Sequence, residues 1–420
     1  MRLSSIDAWL RKSTGLGNAL TPESLRTWQL ERLRLQALWA RDKSAFYTDR
    51  LAGIDLNAPL DEQKLALIPF TFADELKGNP NRFSCLSQGE ISRVFSLFTS
   101  GSSGQPKRVF FTEEDLELTT DYFSHGLRTL ISAGQTVLVL MPGVAPGSIG
   151  DLLRKGAIRF GASAVVCDQW NDDEHAREAI ATTRPDCILG IPSQMLRLAR
   201  QGGVPTPKNV LLSADYAPMA VIQGIQEAWN CKVFTHYGMT EMGFGGAVEC
   251  EAHAGGHLRA ADLLFEVVDP QTGHPLPAGE WGEVVISTLS RRAMPFIRYR
   301  TGDCARLLTY PCACGSPFPR LDRVRGRLET LNGPSPSIYA LDEVVLRHKE
   351  VLDYSVRRLP EGLEFTVETG APGLLSDELS HEVACAFGLA SPPVVHIGAP
   401  MRSGVVIKRQ IAQEKTDKEG

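Results

Sequence analysis

Between Thr136 and Phe234, short apolar runs alternate with helix-patterned stretches. Thr136–Met141, Ala164–Val166, Pro185–Gly190, Val210–Ser213 and Lys232–Phe234 predict strands. Most are unbroken apolar runs, as expected of strands covered on both faces. Ile149–Lys155, His175–Thr183, Ser193–Arg200 and Ala220–Trp229 predict the intervening helices. The alternation argues for a parallel or mixed sheet with helices on its faces. Upstream, Thr21-Pro22-Glu23 opens a helix, and Phe72–Leu76 predicts a shorter one. Val94–Phe98 reads as a buried strand, Val109–Phe111 as a second, and Leu116–Ile131 as a helix. Thr112 is the expected N-cap, with Glu113, Glu114 and Asp115 in the first turn.

The texture changes at Leu264. Leu264–Asp269 and Glu283–Ser287 are β-rich runs separated by Gly/Pro turns, which predicts an antiparallel barrel or meander. After Gly326 a small α+β unit follows. It has a helix at Ile338–His348 with Asp342 and Glu343 exposed, strands at Tyr354–Arg357 and Leu363–Val367, a helix at Ser376–Phe387 and a last strand at Val394–Ile397. The fold class is therefore α/β. A large N-terminal domain (1–328) combines mixed or parallel sheets, helices and a β-barrel-like subdomain, and a small α+β domain (329–420) completes the chain.

Composition narrows the function classes. With 43% hydrophobic and 22% charged residues, the 420-residue chain has the make-up of a globular enzyme. A net charge of −5 supplies no basic footprint for nucleic acid. Met1–Leu16 has no signal-peptide h-region, and the uncharged stretch Thr129–Gly150 is broken by Pro142, Pro146 and glycines, so no membrane span is expected. Nine cysteines without a signal peptide point to a reducing cytoplasm and no disulfide framework.

The chemistry concentrates at strand ends, where open α/β sheets bind ligands. The loop Thr99-Ser100-Gly101-Ser102-Ser103-Gly104-Gln105-Pro106-Lys107 is rich in N–H groups and hydroxyls and carries one cation, as phosphate binding requires. It is not a Walker A loop, because no Lys-Ser/Thr follows its second glycine. Tyr237-Gly238-Met239-Thr240-Glu241 sets a hydroxyl beside a carboxylate, a pair able to hold a phosphate and its Mg²⁺. Asp303, after a Gly turn, is placed to accept ribose hydroxyls. Arg323, Arg325 and Arg327 would share one face of a strand. Cys250, His253, His257, Cys312 and Cys314 offer soft donors for tetrahedral Zn²⁺; the other reading is a Gly/Pro-rich loop with unliganded cysteines.

In this order, Thr99–Lys107, Tyr237–Glu241, Tyr299-Arg300-Thr301-Gly302-Asp303 and Gly326-Arg327 resemble the adenylate-forming superfamily of acyl-CoA synthetases. The segments Leu67–Thr71 and Cys312-Ala313-Cys314-Gly315 are similar to the phenylacetate–CoA ligase branch. The resemblance implies an ATP-dependent, AMP-forming ligase. The Thr99–Lys107 loop would hold the ATP phosphates, Thr240 the α-phosphate and Glu241 Mg²⁺. Tyr237 and Gly238 would lie beside adenine, with Ser213, Ala214 and Asp215 in the place of the usual Gly-rich adenine loop. Asp303 and Arg327 would hold the ribose, and Glu329 would stand at the hinge of a C-terminal lid. Cys250, His257, Cys312 and Cys314 match a structural zinc set, with His253 the alternative to His257. The partners implied are a small carboxylic acid and coenzyme A; Tyr216 points to a flat aromatic acid, and a homodimer is compatible.

One position departs from the family. Aligned on Gly404, its late catalytic lysine falls on Val405, and Lys408 stands three residues further on, on the opposite face if the segment is a strand. Lys408 is nevertheless the cation assigned to the catalytic role. Losing such an electrostatic clamp costs roughly two to three orders of magnitude in rate. Adenylation is then slow, rescued by another cation, or lost. The leading reading is an aryl- or acyl-CoA ligase. The alternatives are an adenylating enzyme that passes its acyl group to a carrier-protein or protein thiol, and a non-catalytic binder of nucleotide or acyl-adenylate.

Overall fold

A computed structural model describes residues 4–97, 107–331, 336–360, 362–370, 376–400 and 411–413. The chain divides into two compact units. One comprises residues 1–134, 145–163 and 236–325; the other comprises 135–144, 164–235 and 326–420.

The second unit carries the parallel sheet. Its strands lie in the order Ser163–Val166, Thr136–Leu140, Cys187–Gly190, Asn209–Leu212, Lys232–Tyr237. Leu138, Ile188, Val210 and Val233 are solvent-free, so the unbroken apolar runs do mark a buried sheet. Helices Asp173–Thr183, Pro192–Gln201 and Met219–Trp229 supply Ile180, Met195, Leu196, Val221 and Ile225 to the same core. The segment after Gly326 continues that core through Leu341, Val345, Val351, Phe365 and Leu379. Here strand Val351–Leu359 pairs antiparallel with Gly362–Thr369, which pairs parallel with Val394–Ile397.

Polar contacts reinforce this shared core. Arg197 Nη2 donates to Asp173 at 2.7 Å, and its Nη1 donates to Asp353 at 2.9 Å. The Glu343 carboxylate accepts the N–H groups of Met219 and Ala220 at 2.7 and 2.9 Å, satisfying donors that the start of a helix leaves open. The expectation of an exposed Asp342-Glu343 pair is therefore corrected. Asp342 is buried and accepts from Tyr354 Oη at 2.8 Å, while Glu343 is half-buried in its capping role.

The first unit is β-rich at its C-terminal side. Leu263–Val268, Gly282–Thr288 and Tyr299–Ala305 form an antiparallel meander. A second antiparallel set starts at His236 and Tyr237 and runs through Ala247–Glu249, Gly256–Leu258, Arg320–Leu321 and Leu307–Leu308. Helix Glu113–Leu127 begins at the Thr112 cap in a reciprocal capping box with Asp115. Arg93–Leu97 pairs antiparallel with Lys107–Phe111. Val94 is 45% exposed, so this first strand is not the buried run its composition suggested; from Arg93 to Ser96 the side chains alternate between half-buried and exposed, and Phe98 lies outside the described residues. Residues 322–325 are not a strand either. Arg325 instead lies 3.5 Å from the centre of the Trp281 ring, which Arg306 also approaches at 4.8 Å. Among the described residues no helix is long and apolar enough to cross a membrane.

A buried ion pair clamps the N-terminal segment to the meander. Arg298 is 1% exposed; it donates to Glu266 through Nε and Nη2 at 3.1 and 2.9 Å, and through Nη1 to the carbonyls of Ala66 and Ile68 at 3.1 and 2.8 Å. Removing one member strands the other charge in the core, at a cost of about 3–5 kcal/mol. Arg298→Met is expected to lower the urea midpoint accordingly, and adding Glu266→Leu should restore part of the loss; a midpoint unchanged by the single substitution would contradict the clamp.

Candidate functional site

Glu241 stands at the centre of the site. The strand Lys232–Tyr237 ends, the chain turns at Gly238, and one turn of 3₁₀ helix, Thr240–Met242, carries the carboxylate. The turn closes through Met242 N–H to Met239 C=O at 3.0 Å and Phe244 N–H to the same carbonyl at 2.9 Å. Gly238 is obligatory, since a Cβ there would lie 2.1 Å from the Phe244 carbonyl oxygen. Two buried arginines hold this turn by its backbone. Arg291 Nη2 donates to the Glu241 carbonyl at 3.1 Å, and Arg259 Nη1 lies within 3.3–3.5 Å of the carbonyls of Gly243, Met242 and Gly245.

The Glu241 side chain is 1% exposed. Lys107, the first residue of its strand, donates to Glu241 Oε1 at 2.6 Å, and Tyr299 Oη donates to the same oxygen at 2.9 Å. Burial alone would raise the carboxyl pKa. The adjacent Lys107 charge and the donors around it outweigh burial and hold it below its ordinary value. The result is a desolvated carboxylate–ammonium pair where a nucleotide's phosphates and cation are expected. The rest of the expected phosphate loop, Thr99, Ser100, Gly101, Ser102, Ser103 and Gly104, lies outside the described residues, as do Val405 and Lys408.

Tyr237 and Asp303 are also brought together. Tyr237 Oη donates to Asp303 Oδ2 at 2.9 Å. Asp303 follows Gly302, whose φ of 75° suits glycine, and the Asp303 N–H donates to Thr301 Oγ1 at 3.1 Å. Glu283 accepts the Gly302 N–H at 2.9 Å and pairs with Arg300, fixing this strand in register. Thr240 is half-buried beside Glu241.

In the second unit Ser213, Ala214, Asp215 and Tyr216 form the loop after Asn209–Leu212. Ala214 has φ = 72°, a left-handed conformation that costs an alanine roughly 1–2 kcal/mol. Tyr339 Oη lies 3.4 Å from Asp215 Oδ1, and the Tyr216 and Tyr339 rings are 4.8 Å apart. Tyr339 also presses on Gly326, where a Cβ would meet its ring at 2.6 Å. Arg327 follows Gly326 and is half-buried, and Glu329 is exposed.

The cysteine cluster assembles in the first unit. The donor atoms of Cys250, His257, Cys312 and Cys314 all lie within 4.8 Å of one another. Cys250 Sγ is 3.7 Å from Cys312 Sγ, and Cys314 Sγ is 3.5 Å from His257 Nε2. A tetrahedral Zn²⁺ with ordinary bond lengths sets its ligands about 3.8 Å apart for two sulfurs and about 3.5 Å for sulfur and nitrogen. The residues fit the metal, and His257, not His253, joins the set. Burial pushes the Cys250 thiol up to about 12 and the His257 imidazole down to about 4.

Sequence reasoning missed Tyr299, Arg259 and Arg291. Tyr299 was detectable: Tyr299, Thr301, Asp303 and Ala305 alternate as the buried face of one strand, so Tyr299 and Asp303 point the same way. The two arginines act on backbone far away in sequence, and no local pattern marks them.

The fold and the paired side chains at these strand ends define a member of one enzyme family. The chain belongs to the AMP-binding enzyme family, whose model matches residues 55–290. It is 30% identical to the phenylacetate-coenzyme A ligase of Thermus thermophilus over 86% of each chain, and 25% identical to that of Escherichia coli over 86% of each chain. Among solved structures, a 2-hydroxyisobutyryl-CoA ligase in its postadenylation state shares the fold, with a TM-score of 0.78 at 21% identity over 94% of this chain and 91% of that one.

The Lys107–Glu241 pair makes a signed prediction. Glu241 has its pKa held below the ordinary 4.5, so its contribution to stability is present above that pH and is lost as pH falls through the lowered value. In Lys107→Met burial is opposed only by the weaker Tyr299 and backbone hydrogen bonds, the pKa rises, and the sign reverses. The variant is expected to be destabilised by about 3 kcal/mol or more at neutral pH. Between pH 7 and 5 it should regain stability relative to wild type in paired urea titrations; a constant difference across that window would reject the pairing.

Proposed function

We propose that this chain is an AMP-forming acyl-CoA ligase that activates a small carboxylic acid, an aromatic one first among the candidates. The observation that carries the proposal is the buried Lys107–Glu241–Tyr299 cluster beside the Tyr237–Asp303 pair. In the first half-reaction a substrate carboxylate oxygen attacks the ATP α-phosphorus and pyrophosphate leaves. In the second, a thiolate attacks the acyl carbon and AMP leaves. Both demand positioning and charge neutralisation more than covalent work by the protein.

Each residue has a role in this reading. Glu241 is a hard oxygen ligand suited to Mg²⁺, which neutralises phosphate charge when bound. Lys107 and the Thr99–Gly104 loop would hold the phosphates, and Thr240 would contact the α-phosphate. Asp303 and Arg327 receive the ribose hydroxyls. Tyr237, Gly238 and the Ser213–Asp215 loop border the adenine. Lys408 is the proposed late cation, and residues 329–420 act as the lid. Relatives that are phenylacetate-coenzyme A ligases, together with the Tyr216 ring tilted against that of Tyr339, support an aromatic acid and coenzyme A as acceptor. A carrier-protein thiol is the alternative acceptor, and the reducing chemistry of nine unpaired cysteines supports a cytoplasmic setting.

Val405 favours a second reading, a relative that binds nucleotide or acyl-adenylate without turnover. Pyrophosphate release over a panel of aromatic and aliphatic acids, with and without coenzyme A, separates the readings. The ligase is expected to release pyrophosphate and to turn over fully only with coenzyme A. Glu241→Gln should lower the rate by about two orders of magnitude or more, and Val405→Lys should raise it. ATP binding without release for any acid would leave only the non-catalytic reading.

We further propose that Cys250, His257, Cys312 and Cys314 hold a structural zinc ion. Protein purified without chelators is expected to contain stoichiometric zinc by plasma emission analysis, and Cys312→Ser to lose both the metal and thermal stability. Metal-free wild-type protein of unchanged stability would refute the site.

A further inference from the structure

A cavity of about 420 Å³ opens in the first unit among the helices Ser5–Thr14, Pro22–Lys43 and Glu113–Leu127. Its size falls within the usual range for small-molecule sites, roughly 300–1,000 Å³. None of its lining residues belongs to the nucleotide cluster. Its walls include two indoles, Trp9 and Trp28, one guanidinium, Arg32, two carboxylates, Asp121 and Asp262, and the hydroxyl of Ser290.

The charges in this cavity are unequally committed. Asp121 accepts from Trp9 Nε1 at 2.9 Å and lies 3.7 Å from Arg159 Nη1. Asp262 accepts from Arg259 Nε at 2.7 Å. Arg32 has no carboxylate partner among the described residues. Its Nε is buried without a hydrogen-bond partner, its Nη2 has only a 3.5 Å contact to Ser290 Oγ, and its charge centre sits 5.8 Å from the Trp28 ring. The Nε–Nη2 edge of a guanidinium is the fork that matches a carboxylate in two parallel hydrogen bonds. Both acids already face arginines, which leaves Arg32 as the charge able to meet a monoanion, while their nearness disfavours a dianion such as a phosphate ester. The indoles add flat apolar surface for a ring.

We propose that this cavity binds a small aromatic monocarboxylate, its carboxylate on the Nε–Nη2 edge of Arg32 and its ring against Trp9 and Trp28. The site is separate from the catalytic one and does not depend on the activity proposed above. It is nonetheless wired to the Glu241 turn. Asp262 holds Arg259, and Ser290 immediately precedes Arg291; these are the two arginines that grip the backbone from Glu241 to Gly245.

The test is tryptophan fluorescence of the full chain, without ATP, titrated with benzoate. Saturable quenching is expected. Arg32→Gln should weaken binding by about tenfold or more, corresponding to loss of a charge-assisted contact. Trp28→Leu should diminish the signal, and benzylamine or inorganic phosphate should not compete. Equal affinity in Arg32→Gln, or effective competition by benzylamine or phosphate, overturns the proposal. Crystals of the wild-type protein soaked in 4-iodobenzoate decide the matter even if Arg32→Gln does not fold. An anomalous iodine peak between Trp9 and Trp28 supports the site, and its absence there overturns it.

Discussion

Burying a carboxylate is tolerable only beside a positive charge, and the first unit is organised around that constraint. Glu241 is nearly solvent-free, and Lys107 and Tyr299 converge on one of its oxygens. The ammonium comes from the start of one strand, the phenol from another, and the carboxylate from a turn whose backbone two further buried arginines hold. A displaced turn would leave Lys107 and Glu241 as isolated buried charges, which costs several kcal/mol. The pair therefore fixes the turn as much as the turn fixes the pair. It also stores the two groups that the proposed chemistry needs, a hard oxygen for a divalent cation and an ammonium for phosphate, in a mutually neutralised form.

Much of this was legible in the sequence because it is local. Thr112 with Asp115 forms a capping box, and four residues suffice to show it. The runs Thr136–Leu140 and Cys187–Gly190 read as covered parallel strands because unbroken apolar composition has few other uses at that length. The four zinc-type donors were legible as residue types, and geometry chose His257 over His253. What could not be read joins distant positions. Arg259 and Arg291 serve carbonyl groups, which carry no side-chain signature. Glu343 looked like a solvent-facing acid on a helix, yet it caps another helix more than a hundred residues away in sequence. The alternation of arginines at 323, 325 and 327 suggested a strand face, but Trp281 offered Arg325 a cation–π contact that a strand would not provide.

The second unit bears on how the proposed lid could work. The segment after Gly326 shares an apolar cluster with the parallel sheet, and Arg197 spans Asp173 and Asp353 across it. Arg200 adds bonds to the carbonyls of Leu346 and Val351. Any rotation of this segment between half-reactions must break the Arg197–Asp353 pair and uncover the Met219 and Ala220 N–H groups that Glu343 satisfies. Those contacts set a free-energy difference between arrangements, and a ligand can shift the balance only by binding one arrangement more tightly than another.

The Ser213–Tyr216 loop, proposed to border the adenine, is held by a similar constraint. Ala214 adopts a left-handed backbone where glycine would be unstrained, so something must hold it there. Asp215 and Tyr216 follow it, and both engage Tyr339, whose ring also covers Gly326. Tyr339 thus touches the loop and the residue before Arg327 at once. A side chain larger than hydrogen at Gly326 would push the ring away and remove one support of the strained Ala214 backbone. The shape of this loop is in this way tied to the position of the segment after Gly326. Rearranging that segment and reshaping the loop become one event, although the residues involved lie more than a hundred positions apart.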